Sequence, residues 1–312
     1  MTELAPYSSL TTLISRLLEL WPHHGDYVDK SFADRSPEVT ATSEQIASCV
    51  LKLAGHTAGG LDGLCNDYRF LCEKIVLPEE LYFRRHDRYR LSAFADALRE
   101  CYTNAPYMAR YMNGLLISNV VWHNHAQAIS SYMREYLPSL GDHTDYLEIG
   151  PGHGLFLYFA AACPTIATVS GWDVSPTSIE HTRTALSALG VTRPVNLTQQ
   201  NMFEIEPGSY PQRFDSIVMS EILEHLEDPI AALKAAAAWL RPGGSIWVNV
   251  PANSPAPDHI FLVHDLEHAC DIVRSGGFEV TASHEFPMTG ATLEKARKRK
   301  LALSCVVVGR KP

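Results

Sequence analysis

The chain has 312 residues, enough for one large α/β unit and a smaller accessory region. Its 46% apolar and 20% charged content is that of a globular protein, and its formal charge of −9 argues against a nucleic-acid backbone as main partner. No stretch approaches the roughly 20 apolar residues that span a bilayer, and Met1-Thr2-Glu3-Leu4 lacks the basic flank and apolar core of a signal peptide, so a cytoplasmic location with no membrane partner is expected.

Up to residue 140 the pattern is helical. Leu13, Leu17, Leu18 and Trp21 share one face of a helix from Leu10 to Trp21, and Ile46, Val50, Leu51 and Ala54 repeat that spacing from Ser43 to Ala54. Leu91–Tyr102 and Asn119–Leu137 read as further helices, the last ended by Pro138 and Gly141, while Gly59-Gly60 and Pro78 punctuate the middle. From residue 141 onward strands and helices alternate, which predicts βαβ units and a mainly parallel sheet. Strands are expected at 146–149, 168–173, 195–199, 214–220, 245–250, 278–284 and 304–309, with helices running to about Ala162, from Ser178 to Leu189, from Pro229 to Leu240 and from Leu266 to Arg274. Pro242-Gly243-Gly244 reads as a turn, and the basic run Lys295–Lys300 as a solvated connection. Seven cysteines without C-x-x-C spacing fit reduced thiols rather than disulfides or a zinc site.

The strongest chemical signal lies between the first strand and its helix: Glu148-Ile149-Gly150-Pro151-Gly152-His153-Gly154. Glycines there let the backbone turn sharply and approach a ligand closely. A dinucleotide fingerprint would be G-x-G-x-x-G, but position 155 is Leu, so a nucleoside without phosphates is favoured over a pyrophosphate. Asp173, at the end of the second strand, is placed to accept hydrogen bonds from both ribose hydroxyls. His153 reads as a helix cap.

On these motifs, with Asn201-Met202, Ser220–Leu226 and Leu240–Gly244, the chain from about residue 143 resembles the class I S-adenosylmethionine (SAM) dependent methyltransferases, near the branch of the ubiquinone-biosynthesis O-methyltransferases. The resemblance implies an α/β fold: a seven-stranded Rossmann-like methyltransferase sheet at 141–312, with a helical N-terminal accessory region at 1–140 on the substrate side. It implies that Gly150 and Gly152 flank the methionine part of SAM, with Glu148 and Gly154 also in the cofactor site, and that Asp173 holds the ribose. Trp172 or Val174 would line the adenine, Asn201 would meet its amino group where most relatives carry Asp, and Met202, Ser220 and Glu221 complete the cofactor set. The Asn amide oxygen can still accept that hydrogen bond.

In the resembled branch Glu221, Glu224 and His225 can bind a divalent metal, with Asp258, His259 or His264 as a further ligand. The same string occurs in relatives without metal, so no metal is assigned. Glu224, His225 and His259 are the candidate catalytic groups, His259 as a general base because imidazole titrates near neutral pH. Phe83–Arg90 concentrates four arginines that could fork onto a carboxylate or stay solvated. Tyr102, Tyr107, Met108, Tyr111 and Met112 could roof a sulfonium or simply pack a core. The expected reaction is methyl transfer from SAM to a small-molecule acceptor, in a possible homodimer. Two readings stand beside it: attack on another carbon of SAM, releasing methylthioadenosine, and a non-catalytic SAM-binding subunit.

Overall fold

The computed structural model describes residues 7–205 and 208–312, so the signal-peptide reading of Met1-Thr2-Glu3-Leu4 lies outside the described residues. The apolar stripe of α1 (Ser8–Leu20) buries Leu10, Leu13, Ile14 and Leu17, as its spacing requires. After α2 (Gly25–Ala33), α3 (Pro37–Ala54) begins well before Ser43. Ser36 Oγ accepts the Val39 N–H, and Pro37 occupies the first turn, where its missing N–H costs nothing. Then come α4 (Gly60–Phe70) and α5 (Leu77–His86), joined by a π turn, Leu71–Val76. Pro78 lies in the first turn of α5 and starts that helix instead of breaking it. The helix expected from Leu91 starts at Phe94 as α6 (Phe94–Ala97) and continues through a π turn to Tyr102. The single helix expected over 119–137 is divided: α7 (Ala105–Val121) stops at Trp122, whose backbone is extended, and α8 (His123–Ser131) and α9 (Leu137–Ser139) follow.

The sheet comprises β1 (Thr144–Ile149), β2 (Ile166–Asp173), β3 (Val195–Gln199), β4 (Phe214–Ser220), β5 (Leu240–Ala252), β6 (Glu279–Pro287) and β7 (Leu303–Arg310), in the order β3-β2-β1-β4-β5-β7-β6. β3-β2-β1-β4-β5 pair in parallel and β7 runs antiparallel to both its neighbours, which is the seven-stranded Rossmann-like sheet expected. The connecting helices are α10 (Leu155–Ala162), α11 (Pro176–Ala188), α12 (Pro229–Trp239), α13 (Leu266–Ser275) and α14 (Leu293–Arg299). Pro242-Gly243-Gly244 does not precede β5 but lies within it. Leu240 pairs with Phe214 and Ser245 with Ser216, so the residues between bulge out of the ladder. The basic run is likewise not a plain connection: it is helical in α14, capped by Thr292 and anchored by buried Ala296.

One apolar core runs without interruption from Leu10 in α1 to Val306 in β7. The π turn Tyr132–Tyr136 between α8 and α9 contributes Tyr132 and Tyr136, which pack on Trp247. The Tyr132 hydroxyl meets that of Tyr146 at 2.8 Å, and the Tyr136 hydroxyl meets Ser216 Oγ at 2.8 Å. α12 and α13 cover the other face with a second cluster around Trp172, Phe214 and Trp239. The strand order reverses between β1 and β4, so a crevice opens at their carboxyl ends, where ligands bind in such sheets. All seven cysteines are unpaired. Among the described residues no helix is long and apolar enough to cross a membrane.

Candidate active site

The glycine loop leaves β1 with the Gly150 N–H bonded to Trp172 O at 2.8 Å. Gly150, Gly152 and Gly154 all have left-handed backbone, φ +70°, +51° and +78°. A Cβ on Gly150 would lie 2.1 Å from Ile222 Cδ1, and one on Gly152 2.9 Å from Met112 Cε. The loop is thus a cradle that side chains would fill. His153 precedes the Gly154 N-cap of α10, accepts the Leu155 N–H on Nδ1 at 3.3 Å and touches Asn119 of α7. Burial beside His181 and His125 holds its imidazole neutral, pushed down to about 3.

Around this cradle stand the other positions expected to hold the cofactor. Glu148 is 2% exposed, its Oε2 has no partner, and burial next to Asp173 pushes its carboxyl well above the usual range. Asp173 accepts the Ser175 N–H on Oδ1 and the Ser178 hydroxyl on Oδ2, so it also organises the start of α11; each oxygen keeps a lone pair. Trp172 is buried among Tyr210, Phe214 and Trp239, whereas Val174 is 48% exposed. Asn201 Oδ1 accepts the Phe203 N–H, its Nδ2 donates to Glu204, and Met202 is buried beside it. Phe203, not singled out by sequence, is 52% exposed; a large aromatic that close to the strand ends was the available signal.

At the ends of β4 and β5 the groups are side chains. Ser220 Oγ lies at the outer hydrogen-bond limit, 3.5 Å, from Asn249 Nδ2. Glu221 holds φ +54°, a left-handed conformation uncommon outside glycine; Asn249 fixes it through its carbonyl O to the Glu221 N–H (2.8 Å) and its Nδ2 to Oε1 (2.7 Å). Sequence reading passed over Asn249, although a polar residue inside the apolar run Trp247–Pro251 was a usable sign. Glu224 is fully buried, and neither carboxylate oxygen has a partner. Burial, and then the neighbouring Glu221 carboxyl, push it well up.

Two imidazoles face Glu224. His259 Nδ1 lies 2.7 Å from Ser254 O, and His225 Nδ1 lies 3.0 Å from Asp258 O. A carbonyl only accepts, so each Nδ1 carries a proton, which leaves Nε2 as the lone-pair position of the neutral ring. These Nε2 atoms lie 3.9 Å and 3.6 Å from Glu224 Oε1. Burial, aided by His225, pushes His259 down to about 4, so it is neutral at neutral pH.

The roof comes from the N-terminal helices. The Tyr102 and Tyr111 hydroxyls donate to Asp258 Oδ2 (3.0 Å) and Oδ1 (3.2 Å), burial holding both phenols protonated. Tyr102 also reaches His225 Nδ1 at 3.2 Å. The Tyr89 hydroxyl accepts the Ser254 N–H at 3.3 Å, and its ring stands edge-on to His259. Tyr107 packs against Tyr111 and does not bond Asp258.

These contacts sort the metal-ligand candidates. Glu224, His225 and His259 bring one ligand atom each within 4.8 Å of one another. Asp258 spends its carboxylate on two phenols, Glu221 is tied to Asn249, and His264 stacks on His268. Two Nε2 lone pairs aimed at a carboxylate without a donor fit a divalent cation, the Nδ1–H bonds fixing the imidazoles as second-layer partners of metal ligands do.

A family model described as a methyltransferase domain matches residues 121–285. The ubiquinone biosynthesis O-methyltransferase of Xanthomonas campestris pv. campestris (strain B100) is 31% identical over 113 residues, 35% of this chain and 44% of that protein. Its counterpart from Proteus mirabilis (strain HI4320) is 29% identical over 130 residues, 42% of this chain and 51% of that protein. The chain thus spans about half the length of the curated relatives it matches. Among solved structures, the N-methyltransferase NodS from Bradyrhizobium japonicum WM9, in complex with S-adenosyl-L-homocysteine, aligns with TM-score 0.44 and 18% identity over 60% of this chain and 87% of that one.

Proposed function

Starting from the premise that this chain belongs to the methyltransferase-domain family and is a SAM-dependent enzyme, we propose that it methylates a small molecule. The observation that carries this reading is the roof. Tyr102 and Tyr111 close on Asp258 beside buried Glu224 and His259, and Met112 closes on Gly152. Such an enclosure suits a compact acceptor and leaves little access for a polymer. In this proposal the helical region 1–140 forms the acceptor side, and residues 141–312 hold the cofactor.

SAM supplies an electrophilic methyl on a sulfonium. The chain's part is to bind and align. Gly150, Gly152 and Gly154 admit the methionine portion, Glu148 receives its ammonium, and Asp173 takes the ribose hydroxyls. Val174 with Met202 and Asn201 borders the adenine, while Ser220 and Glu221 close the methionine end. On the other side Glu224 and the His259 and His225 Nε2 atoms face the acceptor. Burial keeps Glu224 protonated in the protein alone; the positive charge of bound SAM would favour its ionised form, which is then a strong base for the acceptor's proton. Exclusion of water and in-line alignment of nucleophile with the S–CH3 bond supply most of the rate.

Incubation with SAM and candidate metabolites, read by mass spectrometry, tests this. S-adenosylhomocysteine with a methylated metabolite is expected. Methylthioadenosine as the sole product would shift the assignment to attack on another SAM carbon, and labelling of RNA or of a protein's own side chains alone would end the small-molecule reading.

A second reading rests on the orphaned Glu224 oxygens facing two Nε2 lone pairs. Glu224, His225 and His259 would hold a divalent cation, which would polarise an acceptor oxygen. Metal analysis of purified protein and activity after chelation decide between base and cation.

A further inference from the structure

Folding joins two basic stretches that are far apart in sequence. Arg84 Nη1 donates to Arg299 O at 2.9 Å, 215 positions away, and Lys300 Nζ meets Asp87 at 2.8 Å. Their internal pairs are few: Arg84 with Glu80, Arg90 with Glu79, Arg297 with Glu285. Among the described residues Arg85, Arg88, Lys295, Lys298 and Arg299 are exposed and have no acidic partner. A surplus of that size in a chain of formal charge −9 is a local field opposite to the rest of the molecule.

Its position matters as much as its sign. The 86–90 loop binds α14 on one side and the 254–259 loop on the other, where Tyr89 accepts the Ser254 N–H and its ring lies 5.6 Å from that of His259. The patch therefore borders the loop that carries the acceptor-side groups. Leu77 and Leu81 on α5, 52% and 50% exposed, share a helix face with Arg85 through successive i,i+4 steps, adding an apolar strip beside the cations.

We propose that this basic and apolar surface docks an acidic carrier protein that presents the acceptor on a tether, a proposal that rests on the methyl-transfer reading above. Charge complementarity argues for an acidic partner, and the interleaved acids argue for a protein. Glu80, Asp87 and Glu294 lie among the cations, Glu80 and Asp87 paired with Arg84 and Lys300, a mixed pattern that a protein surface bearing both signs matches better than the uniform charge of an anionic lipid surface. Two leucines on one short helix are also far less apolar face than a helix lying in a bilayer interface buries.

The test uses the full chain and a holo acyl carrier protein, an acidic helical protein with a phosphopantetheine thiol, beside phosphatidylcholine vesicles with and without phosphatidylglycerol. Calorimetry is expected to give salt-sensitive binding to the carrier protein, weakened at least about tenfold by R85E/R88E/K298E. That variant should keep the wild-type melting temperature and SAM affinity. No carrier binding, carrier binding untouched by the reversal, or tighter binding to anionic vesicles than to the carrier would each overturn the proposal. If SAM binding is intact while carrier binding is absent, docking alone fails; if SAM does not bind, the methyl-transfer reading fails with it.

Discussion

Between Gly150 and Asp173 the proposed cofactor site is built on backbone: three left-handed glycines and a strand-end carboxylate already engaged by Ser175 and Ser178. Between Glu221 and His259 it rests on side chains, buried and only partly satisfied, under a roof from another part of the chain. The first side makes a shape, which the proposed reading fills with the nucleoside of SAM. The second stores electrostatic cost, because a buried carboxylate without a donor is unfavourable until something cationic or a proton arrives. Substitutions on the two sides should therefore differ in kind.

Glu224→Gln should have the largest effect. Removing the carboxylate is expected to lower kcat by about 10²- to 10³-fold while SAM affinity stays near wild type. The same change should stabilise the metal-free protein at alkaline pH. The native Glu224 pKa lies above its unfolded value, so the folded state holds a proton that the unfolded state has released. Wild-type stability therefore falls as pH rises above the unfolded carboxylate range, by about 1.4 kcal/mol per pH unit until the native group ionises. Glutamine escapes that penalty. Calorimetric melts should show the variant above wild type near pH 8 and level with it near pH 5; equal destabilisation at both would make Glu224 an ordinary structural residue.

Gly152→Val should strike the other side. A branched residue at φ +51°, with its Cβ 2.9 Å from Met112 Cε, strains the loop and fills the cradle. SAM affinity by calorimetry should fall about 100-fold, about 2.7 kcal/mol. Retained affinity would mean that the backbone of this loop does not touch the cofactor.

How far each side could be read from sequence follows from the same difference. The glycine loop is contiguous, so Glu148 to Gly154 carries its whole signal in seven letters. The β-alternation was legible for the same reason, with β3 and β4 matching their expected limits. The roof was not. Tyr102 and Tyr111 find Asp258 across 156 and 147 positions, and only packing decides that pairing. α7 escaped because Leu116 to Val121 are buried consecutively, which leaves no amphipathic period to detect. α14 escaped because a run of cations with one buried alanine resembles a solvated linker.

Tyr111→Phe addresses the roof with a smaller change. It leaves Asp258 Oδ1 without its donor and removes no volume from the core, so about 1–2 kcal/mol of stability should be lost. Turnover should fall several-fold with SAM affinity unchanged, because the altered contact is on the acceptor side. Thermal melts and steady-state kinetics check it; a fall in SAM affinity instead would erase the division between the two sides.

The smallest effect is expected at Asn201, where the sequence resemblance implies Asp. Asn201 Oδ1 accepts the Phe203 N–H at 3.0 Å, a bond that a carboxylate would keep. Its Nδ2 donates to Glu204 at 3.0 Å, and Asp would replace that bond with repulsion between two exposed carboxylates, which solvent screens. Toward the adenine amino group either residue offers an acceptor oxygen. Asn201→Asp should therefore change SAM affinity by less than about threefold and stability by less than about 0.5 kcal/mol. A larger loss of affinity would show that the amide N–H, and not the oxygen, faces the nucleoside, so that this chain reads its cofactor at that position by a donor.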